Sequence, residues 1–480
     1  MSPSDLPRRR VLAGAASVAA TALAGCAGDG QPTETSTDAT TAPTTVATTE
    51  AATATEPTAE ETTAEPVTDA ERVAIAKRVT EELAGGEFHA VVGRFADQFE
   101  GQVSASAIAD PWRQFAGDLG AYRGATVAQQ GSSQGYPFVA LRATFERGVL
   151  LVVVTFTGRD LAGLNFRPTD AAYEPPAYVD SEAFVERERT VPSPACDLDA
   201  TLSLPDAAVD DGETVPGVVL VHGSGPNDRN QSFGPNRPFQ DLAWGLASRG
   251  VAVLRYDKRT FACDVARSDG LDLDDLTVDD AVAAVDVLRG EDAVGPVAVV
   301  GHSLGGMAAP RIATAAETAG MASLAGPAGS LAALIEVQIE YLANVDGAVS
   351  DAERDRIEAV DAAVDRIQAG DLGDDEVVLG YHANFWRQLA AYDQTAVAAD
   401  LDVPRFLAFA GRDYQVPVER ERQPWADALA DAGNATFRTY ATANHLFLPG
   451  EGPSTPSEYL QPGNVLEALV DDLAAWTGRL

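Results

Sequence analysis

The sequence predicts an α/β fold, in which a mostly parallel sheet is flanked by helices and carries a helical lid insertion. From residue 182 onward, apolar runs of strand length alternate with segments of helical periodicity, which is typical of βαβ units. Ahead of this part, residues 67–167 are predicted to form a small α+β domain. Residues 27–66 are rich in Thr, Ala, Glu and Pro and hold almost no large apolar side chain, so they are predicted to be a disordered linker.

The small α+β domain is predicted from helical spacing in its first half and apolar strands in its second. Apolar side chains at Val73, Ala76, Val79 and Leu83 follow near-helical spacing. Two further helices are expected to follow, and then two paired strands. The expected helices cover 68–83, 88–99 and 107–119, and the expected strands cover 138–146 and 149–157.

The larger domain, residues 182–480, is predicted to begin with an antiparallel strand pair at 184–190 and 198–204. Strands and helices then alternate, which favours a parallel sheet. Residues 331–394 interrupt this alternation with helical patterns and many acidic residues, and we predict that they form the lid. The expected strands of the alternating part cover 217–221, 251–256, 297–300, 321–324 and 405–410, and the expected helices cover 239–248 and 278–288.

Residues 297–306, VAVVGHSLGG, place Ser303 between an apolar strand and a helix-compatible run. Gly-x-Ser-x-Gly at such a junction is the pattern of a nucleophile elbow, in which a strained turn presents the serine hydroxyl. The residues two positions before and after the serine must be small so that the strand and the helix pack closely. Ser303 is therefore the predicted nucleophile.

The partners of such a serine are expected later in the chain, first an acid and then a histidine, each after a strand. Asp413 follows the apolar run at 405–410, and His445 follows the predicted strand at 436–440. Ser303, Asp413 and His445 thus occur in the required order. We predict that His445 takes the serine proton and returns it to the leaving group, while Asp413 orients and stabilises the imidazole.

Other titratable residues compete for these roles. Asp402 is the main rival to Asp413, but it precedes its strand and so falls at the wrong end of the sheet. We expect His302 to point away from catalysis, His222 to order the loop that it occupies, and His382 to lie in the lid.

The lid region also carries aromatic side chains. They either line a substrate pocket or only pack the lid onto the body of the domain, and the sequence favours neither. These lid residues, with the histidine among them, are Tyr341, Tyr381, His382, Phe385, Trp386 and Tyr392.

The oxyanion hole is predicted from the strand at 217–221, which runs into the loop HGSG. In enzymes with a nucleophile elbow, one backbone N–H comes from such a loop and a second comes from the residue after the nucleophile. We assign these two donors to Ser224 and Leu304. Removing one such donor costs about 3 kcal/mol of transition-state stabilisation.

With these motifs, the sequence resembles the α/β-hydrolase serine esterases, and within them a subgroup of secreted or thermophilic carboxylesterases. The resemblance covers residues 182–480 and is carried by HGSGPNDRN, GPNRPFQDLAWGLASRGVAVLRYDKRT, GHSLGG and GRDYQVP. It implies carboxylic ester hydrolysis with no metal and no organic cofactor. Members of the subgroup often carry a small uncharacterised domain ahead of the hydrolase. One departure from common hydrolases is that residues 257–259, DKR, are followed by Thr260 and Phe261 and not by a Gly-rich turn.

Residues 1–26 are predicted to be a targeting segment. Arg8 and Arg9 open a twin-arginine pattern, and residues 11–24 form an apolar core too short to span a bilayer. LAGC at the end of this segment resembles a lipobox, so Cys26 is predicted to be the lipidated first residue of the mature protein. The chain then resembles a haloarchaeal-type lipoprotein, anchored to the membrane outside the cytoplasm through Cys26. The alternative is an ordinary cleaved signal with a chance cysteine.

The chain carries 72 acidic against 34 basic residues, a formal net charge of −38, and its lysines are Lys77 and Lys258. Nothing in the sequence resembles a basic footprint for nucleic acid, so we expect no nucleic-acid partner. The hydrophobic fraction of 45% and the strong patterning argue against a wholly disordered acidic chain. We predict a protein adapted to high salt, where screening suppresses repulsion between surface acids.

Besides Cys26, the sequence holds Cys196 and Cys263. A disulfide between these two is compatible with a location outside the cytoplasm, but the sequence alone leaves the pairing open. Neither lies near a histidine at metal-ligand spacing, so no metal site is predicted.

The predicted function is hydrolysis of small to medium acyl esters outside the cytoplasm, through an acyl-enzyme on Ser303 and without a cofactor. The same acyl-enzyme can pass to other nucleophiles, so a serine peptidase or an acyltransferase is an alternative. A surface binding lipoprotein, whose small front domain carries the function, is a second alternative that the complete triad disfavours. The sequence leaves the natural substrate and the oligomeric state open.

Overall fold

The computed structural model describes residues 67–480 apart from 97–102, 134–135, 147, 169–172, 211–213, 264, 346, 348 and 350. The predicted targeting segment with its lipidation residue Cys26, and the predicted linker at 27–66, lie outside the described residues. Within the described ranges, no helix combines the length and the apolar character needed to cross a bilayer.

The first part of the described chain joins three helices to a four-stranded antiparallel sheet. The helices are α1 (Asp69–Gly85), α2 (Phe88–Val92) and α3 (Ala105–Leu119). The strands, in spatial as well as chain order, are β1 (Tyr122–Ser133), β2 (Tyr136–Phe145), β3 (Val149–Thr157) and β4 (Asp160–Pro168).

A helix-capping motif and a small aromatic core help to form this unit. Thr68 and Glu71 form a capping box that starts α1. The ring of Trp112 lies 5.6 Å from the rings of both Phe145 and Phe166, so α3 packs on the sheet. The helix expected over 88–99 is wrong in extent, because α2 ends at Val92 and a turn follows it.

The second part, from residue 184 onward, is organised by one eight-stranded sheet. From one edge of the sheet to the other, the strands follow in the order 14-13-10-9-7-8-6-5, where each number gives the position of the strand along the chain. The strands are β5 (Phe184–Val191), β6 (Leu198–Pro205), β7 (Val215–Val221), β8 (Ala252–Tyr256), β9 (Val294–His302), β10 (Gly320–Leu324), β13 (Arg405–Ala410) and β14 (Ala435–Tyr440), with β11 and β12 lying outside this sheet.

Six neighbouring strands of this sheet, from β14 to β8, pair in parallel, while β6 pairs antiparallel with both β8 and β5. The central strands are buried on both faces, which explains why they read as continuous apolar runs rather than alternating ones. The predicted α/β fold with a mostly parallel sheet is confirmed. Parallel strands end at one edge of a sheet, and the residues after β7, β9, β13 and β14 therefore meet there.

Helices cover both faces of the sheet. Phe239, Leu246 and Trp476 lie in the core on one face, and Val285, Met307 and Ile312 lie in the core on the other. The helices of this part, leaving aside a π-helical turn (Asp274–Val278) and a 3₁₀ turn (Pro456–Leu460), are α4 (Asp206–Asp210), α5 (Pro238–Ala247), α6 (Arg259–Ala262), α7 (Asp279–Arg289), α8 (Leu304–Ala315), α9 (Leu331–Asn344), α10 (Asp351–Ala369), α11 (Ala383–Ala390), α12 (Gln394–Ala399), α13 (Val418–Ala428) and α14 (Glu467–Thr477).

The region predicted as the lid lies between β10 and β13. It contains α9, α10 and α11 and a two-stranded hairpin of β11 (Val377–Val378) and β12 (Tyr381–His382). The ring of Tyr381 stacks on that of Phe385 at 4.1 Å, and Trp386 packs edge-on against both. An aromatic cluster therefore joins the hairpin to α11.

A disulfide joins Cys196 to Cys263, whose Cα atoms lie 5.8 Å apart. It links the turn before β6 to the end of α6, across 67 residues of chain. The pairing that the sequence left open is thus present in the structure.

Candidate active site

Ser303 occupies a strained turn between β9 and α8. Its backbone lies at φ 55° and ψ −118°, a conformation that non-glycine residues rarely adopt. A Cβ atom on Gly301 would overlap the backbone of Gly305, and one on Gly305 would overlap the carbonyl of Val221. The two glycines are therefore required because the strand, the helix and β7 approach one another closely around the serine.

His445 and Asp413 form a buried pair at the ends of the neighbouring strands β14 and β13. His445 Nδ1 donates a hydrogen bond to Asp413 Oδ2 at 2.7 Å, and the side chains are 5% and 0% exposed. The other carboxylate oxygen, Oδ1, accepts from the backbone N–H groups of Gln415 and Val416 at 2.8 and 3.0 Å. The carboxylate is thus fixed in place, and it holds the imidazole with its proton on Nδ1 and Nε2 left to accept.

Asp402, the rival acid, lies before β13, and its backbone carbonyl accepts a hydrogen bond from the Asn434 side chain. The carboxylate that pairs with His445 is that of Asp413. The loop that carries His445 is shaped by Asn444, whose side-chain oxygen accepts from the N–H groups of Leu446 and Leu448 at 3.0 and 3.2 Å.

Ser303 and His445 line one cavity of about 190 Å³, to which Ser224 also contributes. Among the hydrogen bonds of the described residues, none joins Ser303 Oγ to His445. The structure therefore brings the serine and the His445–Asp413 pair to one opening, with the serine hydroxyl not engaged by the imidazole.

His302 also lies at this site, beside His445. We expected it to point away from catalysis, but its ring lies 4.7 Å from that of His445 and it lines the same cavity. Its Nε2–H donates to the backbone carbonyl of His445 at 2.9 Å, and its Nδ1 accepts from the Gln231 side-chain amide at 2.8 Å. Burial, with a further contribution from His445, lowers the pKa of His302 to about 3, so it stays neutral and can serve both partners.

The loop after β7 lies against the serine. A Cβ on Gly223 would lie 3.1 Å from Ser303 Cβ, so the backbone of this loop passes directly beside the candidate nucleophile. The second predicted oxyanion donor, Leu304, is the first residue of α8, where a helix leaves its N–H groups without an intrahelical partner. Neither Ser224 N nor Leu304 N donates a hydrogen bond to another described group.

His222 and Lys258 both form hydrogen bonds with the backbone of this loop. His222 hydrogen-bonds through Nε2 to the carbonyl of Asp228 at 3.1 Å, in line with the expectation that it orders the loop. Burial, and then the charge of Lys258, lower the pKa of His222 to about 3. Lys258 is 4% exposed, and its Nζ donates to the Gly223 carbonyl at 2.7 Å. No local sequence pattern around Lys258 indicates this contact.

One wall of the cavity is apolar and comes from α9. Its side chains lie on one face of the helix, at Leu331, Leu334, Ile335 and Ile339. Of the lid aromatics, Tyr381 lines the cavity. The others mainly pack: Phe385 and Trp386 are buried behind Tyr381, Tyr341 stacks on Tyr414 at 5.3 Å, and Tyr392 donates to the Met307 carbonyl.

The part of the chain that the structure describes holds no group of three or more His, Cys, Asp or Glu side chains that could bind a metal ion. The chemistry available at the site is that of a hydroxyl, an imidazole, a carboxylate and backbone N–H groups, which is the set used for acyl transfer.

The sequence model of the alpha/beta hydrolase family matches residues 218–461, which include every residue of this site. The chain belongs to that family, and the prediction of an esterase-type member is confirmed. A relative within it is the esterase EstD of Thermotoga maritima. The two are 33% identical over 398 residues, which make up 82% of this chain and 93% of that protein.

Solved structures similar to this chain include Est1E from Butyrivibrio proteoclasticus and the esterase Pf2001 of Pyrococcus furiosus. For Est1E the identity is 16% and the TM-score 0.38, over 61% of this chain and 96% of that one. For Pf2001 the identity is 14% and the TM-score 0.40, over 65% of this chain and 97% of that one. A puromycin-hydrolyzing peptidase of Mycobacterium tuberculosis matches at 19% identity and a TM-score of 0.41, over 71% of this chain and 46% of that one.

Proposed function

We propose that this chain hydrolyses carboxylic esters through an acyl-enzyme on Ser303, with His445 as the general base and acid and Asp413 as its orienting partner. The observation that carries the proposal is the buried His445–Asp413 pair, which opens onto the same cavity as a serine on a strained strand-to-helix turn. The esterase named among the relatives supports the same chemistry.

In the first half of the proposed reaction, Ser303 Oγ attacks the ester carbonyl carbon while His445 Nε2 takes the hydroxyl proton. The carbonyl oxygen becomes an oxyanion, which accepts hydrogen bonds from the N–H groups of Ser224 and Leu304. The tetrahedral intermediate then expels the alkoxide, which takes the proton from His445 and leaves as the alcohol. The acyl group remains on Ser303.

In the second half, water takes the place of the alcohol. His445 removes a proton from the water as its oxygen attacks the acyl carbon, and the second tetrahedral intermediate expels Ser303 Oγ. Ser303 regains its proton from His445, and the carboxylic acid is released. Asp413 stays ionised throughout and stabilises the imidazolium that forms in each half.

The proposed substrates are esters of small to medium acyl groups. The support is the apolar wall of α9, where Leu334, Ile335 and Ile339 face the same cavity as Ser303. Burying each CH₂ of an acyl chain against such a wall contributes about 0.8 kcal/mol, so affinity should rise with chain length until the cavity is filled.

The proposed location is outside the cytoplasm, with the protein anchored to the membrane through a lipid on Cys26. The twin-arginine and LAGC patterns of residues 1–26 support it. The Cys196–Cys263 disulfide is consistent with it, since disulfides persist in oxidising compartments and are rare in the cytosol of most organisms.

The function is tested by activity-based labelling with a fluorophosphonate and by hydrolysis of p-nitrophenyl esters of increasing chain length, in high salt. Ser303→Ala should abolish labelling and lower kcat by about 10⁶-fold. The matched control is Ser193→Ala, because the Ser193 hydroxyl has no hydrogen-bond partner among the described residues and does not line the cavity. Near-normal turnover in Ser303→Ala would rule out this nucleophile, and faster cleavage of amides than of matched esters would favour a peptidase.

A further inference from the structure

Lys258 is a buried lysine in a chain that has only two lysines. It follows β8 and precedes α6, and it is 4% exposed. Lysine is almost never buried unless it has a partner, because taking an ammonium out of water is costly. The charges on either side of it are engaged elsewhere: Asp257 binds Arg229, and Arg259 forms a buried pair with Asp280 at 2.6 and 2.7 Å. Among the described residues, the hydrogen bond of the Lys258 ammonium is accepted by a backbone carbonyl and not by a carboxylate.

That bond fixes one particular peptide group. Lys258 Nζ donates to the carbonyl of Gly223 at 2.7 Å, and this carbonyl shares a peptide plane with the N–H of Ser224. In a trans peptide the C=O and the N–H point in opposite directions, and the described chain contains no cis peptide. Because the Gly223 oxygen points toward Lys258, the Ser224 N–H points away from Lys258.

The rest of the loop is held in the same manner. Asn227 donates through its side-chain amide to the carbonyls of Ser224 and Gly225 at 3.2 and 3.3 Å. The backbone N–H of Lys258 in turn donates to the Asn227 carbonyl at 3.0 Å, and Thr260 Oγ1 donates to the Gly225 carbonyl at 3.4 Å. Three consecutive carbonyls thus accept hydrogen bonds, from Lys258, Asn227 and Thr260, while Ser224 lines the same cavity as Ser303.

We propose that Lys258 is a positioning residue for the oxyanion hole, which locks the Gly223–Ser224 peptide so that the Ser224 N–H faces the reacting carbonyl oxygen. This inference rests on the proposed function. Because the donor is an ammonium, the bond to Gly223 is charge-assisted and stronger than one from a neutral group. It holds the peptide before the substrate arrives, so no reorganisation is needed when the oxyanion forms.

The charge of Lys258 also responds to pH near neutrality. Burial is the main cause, and with the charge of Arg267 and Arg259 it lowers the pKa of Lys258 to about 7, against the opposing effect of Asp280. His222 also lies close to Lys258, and it stays neutral in this range because its own pKa lies at about 3. Above about pH 7 the bond to Gly223 is donated by a neutral amine, and the oxyanion hole is held less firmly.

The test is Lys258→Met in the full chain, with Lys77→Met as the matched control, because Lys77 is the other lysine and lies exposed on α1. Lys258→Met should lower kcat about 100-fold with KM changed less than about twofold, since the donor acts in the transition state. Its affinity for a trifluoromethyl ketone, which forms a tetrahedral oxyanion on the serine, should fall by a similar factor. Lys77→Met should match the parent in all three measurements.

The pH profile separates positioning from a merely structural role. Because His445 is the proposed base in both enzymes, the informative quantity is the ratio of the parent kcat to the Lys258→Met kcat. This ratio should decline about fivefold with a midpoint near pH 7, since a charged donor makes the stronger hydrogen bond. If Lys258→Met does not fold, Lys258→Gln, which keeps a neutral donor, replaces it, and a kcat equal to that of the parent from about pH 6 to 9 overturns the inference.

Two different outcomes of these measurements separate the role of Lys258 from the proposed function. A Lys258→Met enzyme that labels with fluorophosphonate and keeps the parent kcat and ketone affinity overturns the role of Lys258 alone. A parent enzyme that neither labels nor hydrolyses esters overturns the proposed function, and the role of Lys258 with it.

Discussion

His302 Nε2 donates a hydrogen bond of 2.9 Å to the backbone carbonyl of His445, 143 residues further along the chain. Because His302 directly precedes Ser303, this bond ties the turn of the proposed nucleophile to the loop of the proposed base. A neutral His302 can make this bond while its other nitrogen accepts from Gln231. Its lowered pKa therefore favours the one protonation state that satisfies both neighbours.

Replacing Asp413, the acid of the proposed triad, should leave the fold intact and remove most of the activity. In Asp413→Asn the side chain keeps its shape but no longer favours the His445 tautomer with the proton on Nδ1, so kcat should fall by about 10⁴-fold. The matched control is Asp402→Asn, which changes the acid that precedes the same strand. Steady-state kinetics on a p-nitrophenyl ester checks both, and equal losses in the two variants would contradict the assignment of Asp413.

The fold should lose stability in acid because two histidines are buried in their neutral form. His222 and His302 each have a pKa of about 3, whereas an exposed histidine titrates near 6.5. Between these values the unfolded chain binds protons that the folded chain does not, so the free energy of unfolding falls as the pH drops from about 6.5 toward 3. Asp241, whose pKa burial raises to about 6, opposes part of this fall.

The measurement is the urea midpoint at about pH 7 and about pH 4.5, compared between the parent and His302→Phe. The variant should show a smaller decrease on acidification, since one of the two buried imidazoles is gone. His89→Phe is the control, because His89 is exposed on α2 and should leave the acid response unchanged. An identical decrease in the parent and in His302→Phe would contradict the prediction.

The disulfide should contribute substantially to stability. It closes a loop of 67 residues, and loop-closure entropy for that length corresponds to about 4 kcal/mol. The double variant Cys196→Ser, Cys263→Ser should therefore unfold at a clearly lower urea concentration than the parent, and so should the parent after reduction. A reduced parent that unfolds at the same concentration as the oxidised one would show that the bridge does not stabilise the fold.

Fold and activity should depend on molar salt. The net charge of −38 creates repulsion that is screened over about 3 Å in 1 M salt but over about 10 Å in 0.1 M salt. The melting temperature and ester turnover should both rise as potassium chloride is increased toward several molar. A melting temperature that is the same or higher in dilute buffer would remove the ground for proposing adaptation to high salt.

Lipid anchoring should depend on Cys26. A single acyl chain binds a membrane only weakly and stable anchoring takes two signals, so a two-chain lipid on Cys26 is expected at the mature N-terminus. Cys26→Ser should release the protein into the medium or block its maturation, as judged by cell fractionation and by mass spectrometry of the N-terminus. A variant that stays with the membranes as fully as the parent would mean that another feature holds it there.

The sequence indicates the residues of the proposed triad more clearly than it indicates the residues around them. Ser303, Asp413 and His445 each follow a strand of the parallel sheet, so a short local pattern identifies them and the sheet brings them to one edge. The wall of α9 carries no such signal, because its apolar spacing is the same whether it faces a core or a cavity. The contact between Lys258 and Gly223 joins residues 35 positions apart, and only the fold reveals it.

The small domain shows a similar limit. Strands β2 and β3 were expected because they are apolar, but β1 and β4 were not. The sequence of β1, YRGATVAQQGSS, is largely polar and contains two glycines, because it lies at the edge of its sheet and faces solvent over much of its length. Propensity alone does not separate such a strand from a loop, and its pairing with β2 decides the conformation.

The apolar wall of the cavity and the residues of the proposed triad belong to different segments of the chain. Helix α9 belongs to the segment between β10 and β13, whereas Ser303 lies between β9 and α8, and Asp413 and His445 follow β13 and β14. Substitutions at Leu334, Ile335 or Ile339 can therefore tune the shape of the cavity. Exchange of the whole helix would reach further, since Tyr341 stacks on Tyr414 and Gln338 donates to the Gln415 carbonyl, next to Asp413.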